Sequence, residues 1–243
     1  MFEGACLSNS TRYPTLVRYF GLSWLQTEDH SNHVLWMRWN HGDRIRFVES
    51  CERALACLDG NGLVEPTIVR MMKNADQFLD TLAQVEVAAN LLTKGFRVEL
   101  EASKAGRTPD IFLIDEGACI EVKNLHLDPR LMEQTLSGES RAVTLRDRLP
   151  SAVEGKYAQL PEGYPDILVV IATADVHFDE FEDFFIDIPR NKSGFFYQER
   201  TDGTKIHTKL GAVIMWKDQG RRYIRNPYAN ITINEDLLSR IIV

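Results

Sequence analysis

Residues 109–125 read PDIFLIDEGACIEVKNL, and the fold turns on how this stretch is read. Two apolar-rich runs, Asp110–Asp115 and Ala118–Leu125, flank Glu116-Gly117, which predicts a tight antiparallel hairpin. With a two-residue turn, Asp110 lies opposite Lys123 and Phe112 opposite Glu121. Side chains alternate along a strand, so Asp110, Glu121 and Lys123 leave one face together. A slip of one residue would send Asp110 to the other face. Lys123 sits inside the otherwise apolar CIEVKNL, a poor place for a merely solvated lysine. Two acids and an amine on one face make a hard-oxygen site for a divalent cation, beside a fixed positive charge.

Moving outward, a helix is predicted from Asp76 to Lys94, stopped by Gly95, and then a strand over Phe96–Glu101. In that helix Leu79, Leu82, Val85, Ala89 and Leu92 form an apolar stripe, and Glu86 falls on it. A carboxylate so placed needs a partner, since an unpaired buried charge is too costly to persist. Beyond the hairpin come a helix within 140–160, a buried strand Ile167–Ala174 and an acidic segment 179–187 with helical character. Two strands, 206–216 and 221–225, and a short helix from Asn234 follow. The expectation is an α/β (α+β) domain over 76–243, with a central mixed sheet flanked by helices. Residues 1–75 read as a helical N-terminal subdomain. They hold three tryptophans and one clear helix, Asp43 to Leu58, with Phe47, Cys51, Ala54, Leu55 and Leu58 on its apolar side and DGNG ending it.

Composition bounds the function. With 243 residues, 44% of them hydrophobic and 26% charged, disordered, collagen-like and coiled-coil chains are excluded. A net charge of −7 excludes a general polycation that coats nucleic acid, but not a local basic surface. Four cysteines without a CxxC pair read as free thiols of a reducing compartment. The first residues, MFEGACLSNS, lack a signal peptide's charge and apolar run, and ILVVIATA (167–174) is too short to span a bilayer. A cytoplasmic location without a membrane partner is expected.

The order Glu86, Pro109-Asp110, Glu121-x-Lys123, with a helix–three strands–helix–strand arrangement around it, resembles the PD-(D/E)XK nuclease superfamily, whose core is the restriction-endonuclease-like fold. The resemblance covers about 100 residues and none of 1–75. It implies Mg²⁺-dependent phosphodiester hydrolysis, with Mn²⁺ as a substitute. Asp110, Glu121 and the backbone carbonyl of Val122 would hold the metal. Lys123 would position and help deprotonate the attacking water, and Glu86 would complete the site through a second metal or a water. A nucleic acid, DNA ahead of RNA, is the implied partner, and an endonuclease the implied activity. A homodimer would suit the cutting of both strands of a duplex. The physical logic is independent of the family: a cation clamps phosphate oxygens and generates hydroxide near neutral pH, while an ammonium offsets transition-state charge.

A second Glu-x-Lys triplet, Glu154-Gly155-Lys156, falls in a predicted helix with no partner hairpin, and two such triplets are near the chance expectation. Lys156 and Gln159 are instead read as phosphate contacts, because related nucleases place Lys or Gln on the helix after the hairpin. Residues 190–225 carry nine Lys/Arg against three acids, so Arg221 and Arg222, among aromatics, are further candidates for the nucleic-acid surface. Asp166, in Pro165-Asp166, reads as a turn residue at the start of a strand. His30, His33 and His41 fit no compact ligand set. Two rivals remain: a non-catalytic nucleic-acid-binding or regulatory protein that retains the nuclease fold, and an interaction protein whose hairpin charges form a buried ion pair.

Overall fold

A computed structural model describes residues 11–41, 45–125, 145–172, 178–186, 194–200, 203–217 and 220–243. It divides into two units, Met1–Phe96 and Arg97–Val243, rather than at 75/76.

The first unit is helical: α1 (Pro14–Phe20), α2 (Leu22–Gln26), a 3₁₀ turn (Glu28–His30), α3 (Val34–His41), α4 (Ile45–Gly60), α5 (Pro66–Lys73) and α6 (Phe78–Thr93). Val48, Cys51, Ala54, Leu55 and Leu58 form the buried side of α4, one position away from the expected Phe47 at its start. The α6 helix, which the sequence assigned to the second domain, packs in this unit. Its Phe78 ring lies 4.5 Å from the His33 ring and 6.2 Å from Phe47. That shifts the boundary: Phe78 fills the helical core, so α6 cannot be separated from α4. His33 is a core histidine. Its Nε2 pairs with the Met72 carbonyl at 2.9 Å, and burial pushes its pKa down to about 4. His41 is the last residue of α3.

The second unit is a six-stranded mixed sheet flanked by helices, in the order β1-β2-β3-β4-β7-β8. Its strands are β1 (Val98–Leu100), β2 (Ile111–Leu113), β3 (Ala118–Asn124), β4 (Asp166–Ile171), β7 (Leu210–Lys217) and β8 (Gly220–Arg225). The first three form an antiparallel meander; β3, β4 and β7 run parallel, and β8 closes the far edge antiparallel. A separate two-stranded ribbon, not expected from the sequence, joins β5 (Tyr197–Arg200) to β6 (Gly203–Ile206), and the expected strand 206–216 starts later, as β7 from Leu210. The helices are α7 (Leu145–Tyr157), α8 (Phe178–Ile186) and α9 (Glu235–Ile242). The Asn234 side chain caps α9 by accepting from the Asp236 amide at 2.9 Å.

The register differs from the tight-turn expectation. Phe112 pairs with Cys119 and Leu113 with Ala118, leaving a four-residue loop, Ile114 to Gly117, in place of a two-residue turn. Gly117 supplies the left-handed residue (φ 62°) that closes it. The slip is two residues, so every side chain keeps its face while its partner changes. Asp110 consequently comes opposite Glu121, not Lys123.

Across β3, β4, β7 and β8 the register sets Cys119 beside Asp166, Glu121 beside Leu168 and Val213, and Lys123 beside Val170, Met215 and Arg222. This face is roofed by α7 and α8: Leu149 and Val153 join Leu168, Val170, Val213, Met215, Phe181 and Phe185 in one apolar core. Complete burial of each large side chain contributes on the order of 2 kcal/mol. The opposite face carries Ile167, Val169 and Ile214, and Tyr223 and Arg225 on that side reach Glu235 of α9.

Candidate functional site: a buried acid–lysine cluster

The site follows from two periodicities. Residues 119, 121 and 123 alternate onto the roofed face of β3, and Leu149, Val153 and Lys156, at i, i+4 and i+7, share one side of α7. The first two members of that helical row are core residues, so packing carries the third onto the sheet. There the Lys156 ammonium lies 2.7 Å from Asp110 Oδ2 and 2.7 Å from Glu121 Oε2. The neighbours of Lys156 are both seated on His207. Glu154 Oε1 is 3.4 Å from His207 Nε2, and the Tyr157 ring meets the imidazole edge-on at 4.6 Å.

Asp110 is tied at two points, because its Oδ2 also accepts the Val122 amide at 2.7 Å. Glu121 has no exposed surface, and its Oε1 is buried without a hydrogen-bond partner among the described residues. Burial, with the Asp110 charge added, pushes its pKa up to about 7 against the pull of Lys156. Burial works against the Lys156 ammonium, but Asp110 and Glu121 outweigh it and hold its pKa above the ordinary value. Charge-assisted hydrogen bonds of this length are the strong kind.

Asp166 extends the cluster. It is the first residue of β4, 1% exposed, and neither carboxyl oxygen has a hydrogen-bond partner among the described residues. Burial and the nearby Glu121 push its pKa up to about 8. Cys119, its register neighbour, is pushed up to about 12, chiefly by burial. A cleft of about 460 Å³, lined by Tyr157, Tyr164, Asp166 and Asn230 among others, opens beside it.

The sequence candidates are thus distributed unevenly. Asp110 and Glu121 are brought together, and Lys123 stands half-buried two residues along the same face. Lys156, placed by the sequence on a helix without a hairpin partner, is the residue that joins them. Glu86 belongs to the first unit, where it accepts the Ser50 hydroxyl at 2.8 Å. Gln159 is exposed just past α7. Arg221 and Arg222 lie three strands away, roughly 14 Å at ordinary strand spacing. They leave opposite faces: Arg221 stacks on Trp216 at 3.4 Å, while Arg222, on the Glu121 face, lies 4.7 Å from the Phe178 ring.

Two carboxylates and an orphaned buried oxygen suit a hard cation that completes its shell with water and phosphate, as Mg²⁺ does. No group of three or more His, Cys, Asp or Glu side chains converges on a common point among the described residues. No helix among them is long and apolar enough to cross a membrane. Set against family models, curated proteins and solved structures, the chain matches none.

Proposed function

We propose that the protein is a metal-dependent nuclease with a restriction-endonuclease-like second unit. The observation that carries this reading is the convergence of Asp110, Glu121 and Lys156 from β2, β3 and α7 within hydrogen-bonding distance. Stability alone does not call for it. Buried ion pairs are commonly no better than apolar residues of the same volume, so charge retained here is better explained by chemistry.

Asp110, Glu121 and the Val122 carbonyl would hold Mg²⁺ or Mn²⁺. When bound, the cation supplies Lewis acidity toward a phosphate oxygen and lowers the pKa of water. Lys123, two residues along β3 on the same face as Glu121, would hold the attacking water and offset developing charge. The Lys156 ammonium is a preset donor for a phosphoryl or leaving oxygen. Lys156, Gln159 and Arg222 would contact the nucleic acid, DNA ahead of RNA, while Arg221 leaves the opposite face of the sheet.

One observation favours a second reading. Lys156 already pairs with both acids, as expected of a buried ion pair in a non-catalytic protein. Cleavage decides between them. Single- and double-stranded DNA and RNA are incubated with Mg²⁺ or Mn²⁺, with chelator, and with Asp110→Asn and Lys123→Ala proteins. The nuclease reading expects metal-dependent cutting lost in both variants. Cutting that survives both removes the assigned site, and no cutting on any substrate leaves the non-catalytic protein.

A further inference from the structure

The two oxygens nearest the Lys156 ammonium are Asp110 Oδ2 and Glu121 Oε2, each at 2.7 Å. These belong to the two carboxylates that would ligate a divalent cation. We infer that Lys156 is a tethered cation occupying the divalent ion's own seat, so that metal binding requires the ammonium to withdraw. The inference rests on the metal-site reading of Asp110 and Glu121 and deepens it.

Three features carry it. The distances are those of direct contact, so an ion bound to the same oxygens and the ammonium cannot both keep their places. Its side chain is 18% exposed and that of Glu121 1%, so water screens the contact weakly. The flanking residues are fixed on the core, with Glu154 at His207 and Tyr157 packed against both His207 and Phe195. The helix therefore stays, and withdrawal is a rotation of the flexible lysine stem. Lysine suits this: its charge is a compact point on four methylenes, where arginine's planar fork would lock onto a carboxylate. Once displaced, the ammonium needs a new anion, and a substrate phosphate arriving at the bound ion is the nearest chemistry that supplies one. Metal and phosphate would then favour each other's binding, and by linkage the coupling is reciprocal.

The test is binding, not cleavage. Mn²⁺ is titrated calorimetrically into the full chain, wild type and Lys156→Met, the latter removing charge while keeping length and apolar stem. Losing two charge-assisted contacts as the cost of metal entry should tighten Mn²⁺ binding by about tenfold or more in Lys156→Met. Equal or weaker binding in that variant overturns the inference while leaving the metal site standing. Absence of Mn²⁺ binding in both proteins overturns the inference and the metal-site reading together. A second measurement needs no variant: the Lys156 side-chain NMR resonance of the wild type is followed during Mg²⁺ titration. It should shift with the calorimetric dissociation constant, and a resonance unmoved at saturation overturns the inference.

Discussion

Single side chains decide the electrostatics of the second unit, and Asp166 is the clearest case. Burial, with the Glu121 charge added, outweighs the opposite pulls of the Cys119 thiol and Lys209 and holds it protonated to about pH 8. A carboxyl whose native pKa is raised favours folding below its unfolded value, near 3.8, and loses that contribution as pH rises through the native value. Asp166→Asn should therefore gain on the wild type as metal-free protein is taken from pH 5 to pH 9. Thermal unfolding at each pH measures this, at about 2–4 °C per kcal/mol for a chain of this size. A difference that stays flat with pH would remove the charge on Asp166 as the cause. Lys156→Met acts through the same network with the opposite outcome. It strands Asp110 and Glu121, so denaturant unfolding at pH 8 should show a loss of about 3 kcal/mol, and a smaller loss at pH 5, where Glu121 holds its own proton. Very little of this was legible in the sequence. Asp166 read as a turn residue because Pro-Asp is a common way to begin a strand, and burial is not written in a dipeptide. Lys156 lay open to a better reading: the Leu149, Val153, Lys156 spacing puts it on the core side of its helix.

Among the elements, the hairpin shows what alternation can and cannot give. The shared face of Asp110, Glu121 and Lys123 was legible, because a face depends only on odd and even positions. The partner of Asp110 was not, because loop length sets register and Glu116-Gly117 fits a two- or a four-residue loop equally well. The α6 helix misled for another reason. Residues on nearly every side of it are buried, including Thr81, Gln84, Val87 and Ala88, so an apolar stripe could not single out where Glu86 points. Packing between elements also leaves a checkable mark at Gly211. A Cβ there would meet Ile233 Cδ1 and Cγ1 at 2.7 Å and the Ile231 carbonyl at 3.2 Å. Gly211→Ala should cost about 1–3 kcal/mol in denaturant unfolding, by forcing apart β7 and the segment before α9. A second substitution, Ile233→Val, should recover part of it. Failure of the double variant to recover would place the strain on the backbone oxygen instead.

For the whole molecule, charge and topology matter most. A chain of net −7 engages a polyanion only through a local basic surface, and β8 carries three arginines, Arg222 on one face of the sheet and Arg221 and Arg225 on the other. If nucleic acid lies along the face that carries Glu121, Arg222→Gln should weaken binding and reduce the salt slope by about one, whereas Arg221→Gln should leave the slope alone. Affinity measured across a salt series checks this; equal effects of the two would place the strand around the sheet edge, not on one face. The coarse α/β class with a mixed sheet was readable from periodicity. The mixed strand order was not, because sequence separation does not say which strands a central one will join.

That order has a consequence for how the chain is made. Residues 98–124 form a local meander and 210–225 a local hairpin, but ILVVI of β4 touches both and, among the described residues, is the sheet's bridge between them. Emerging from a ribosome, β4 gains β3 at once and then waits about 40 residues for β7, with one apolar, unpaired edge open throughout. Nascent chains stopped in that interval are the aggregation-prone ones, and a ribosome-stalled series whose emerged portion ends between residues 172 and 217 should recruit hold-type chaperones until β7 has emerged.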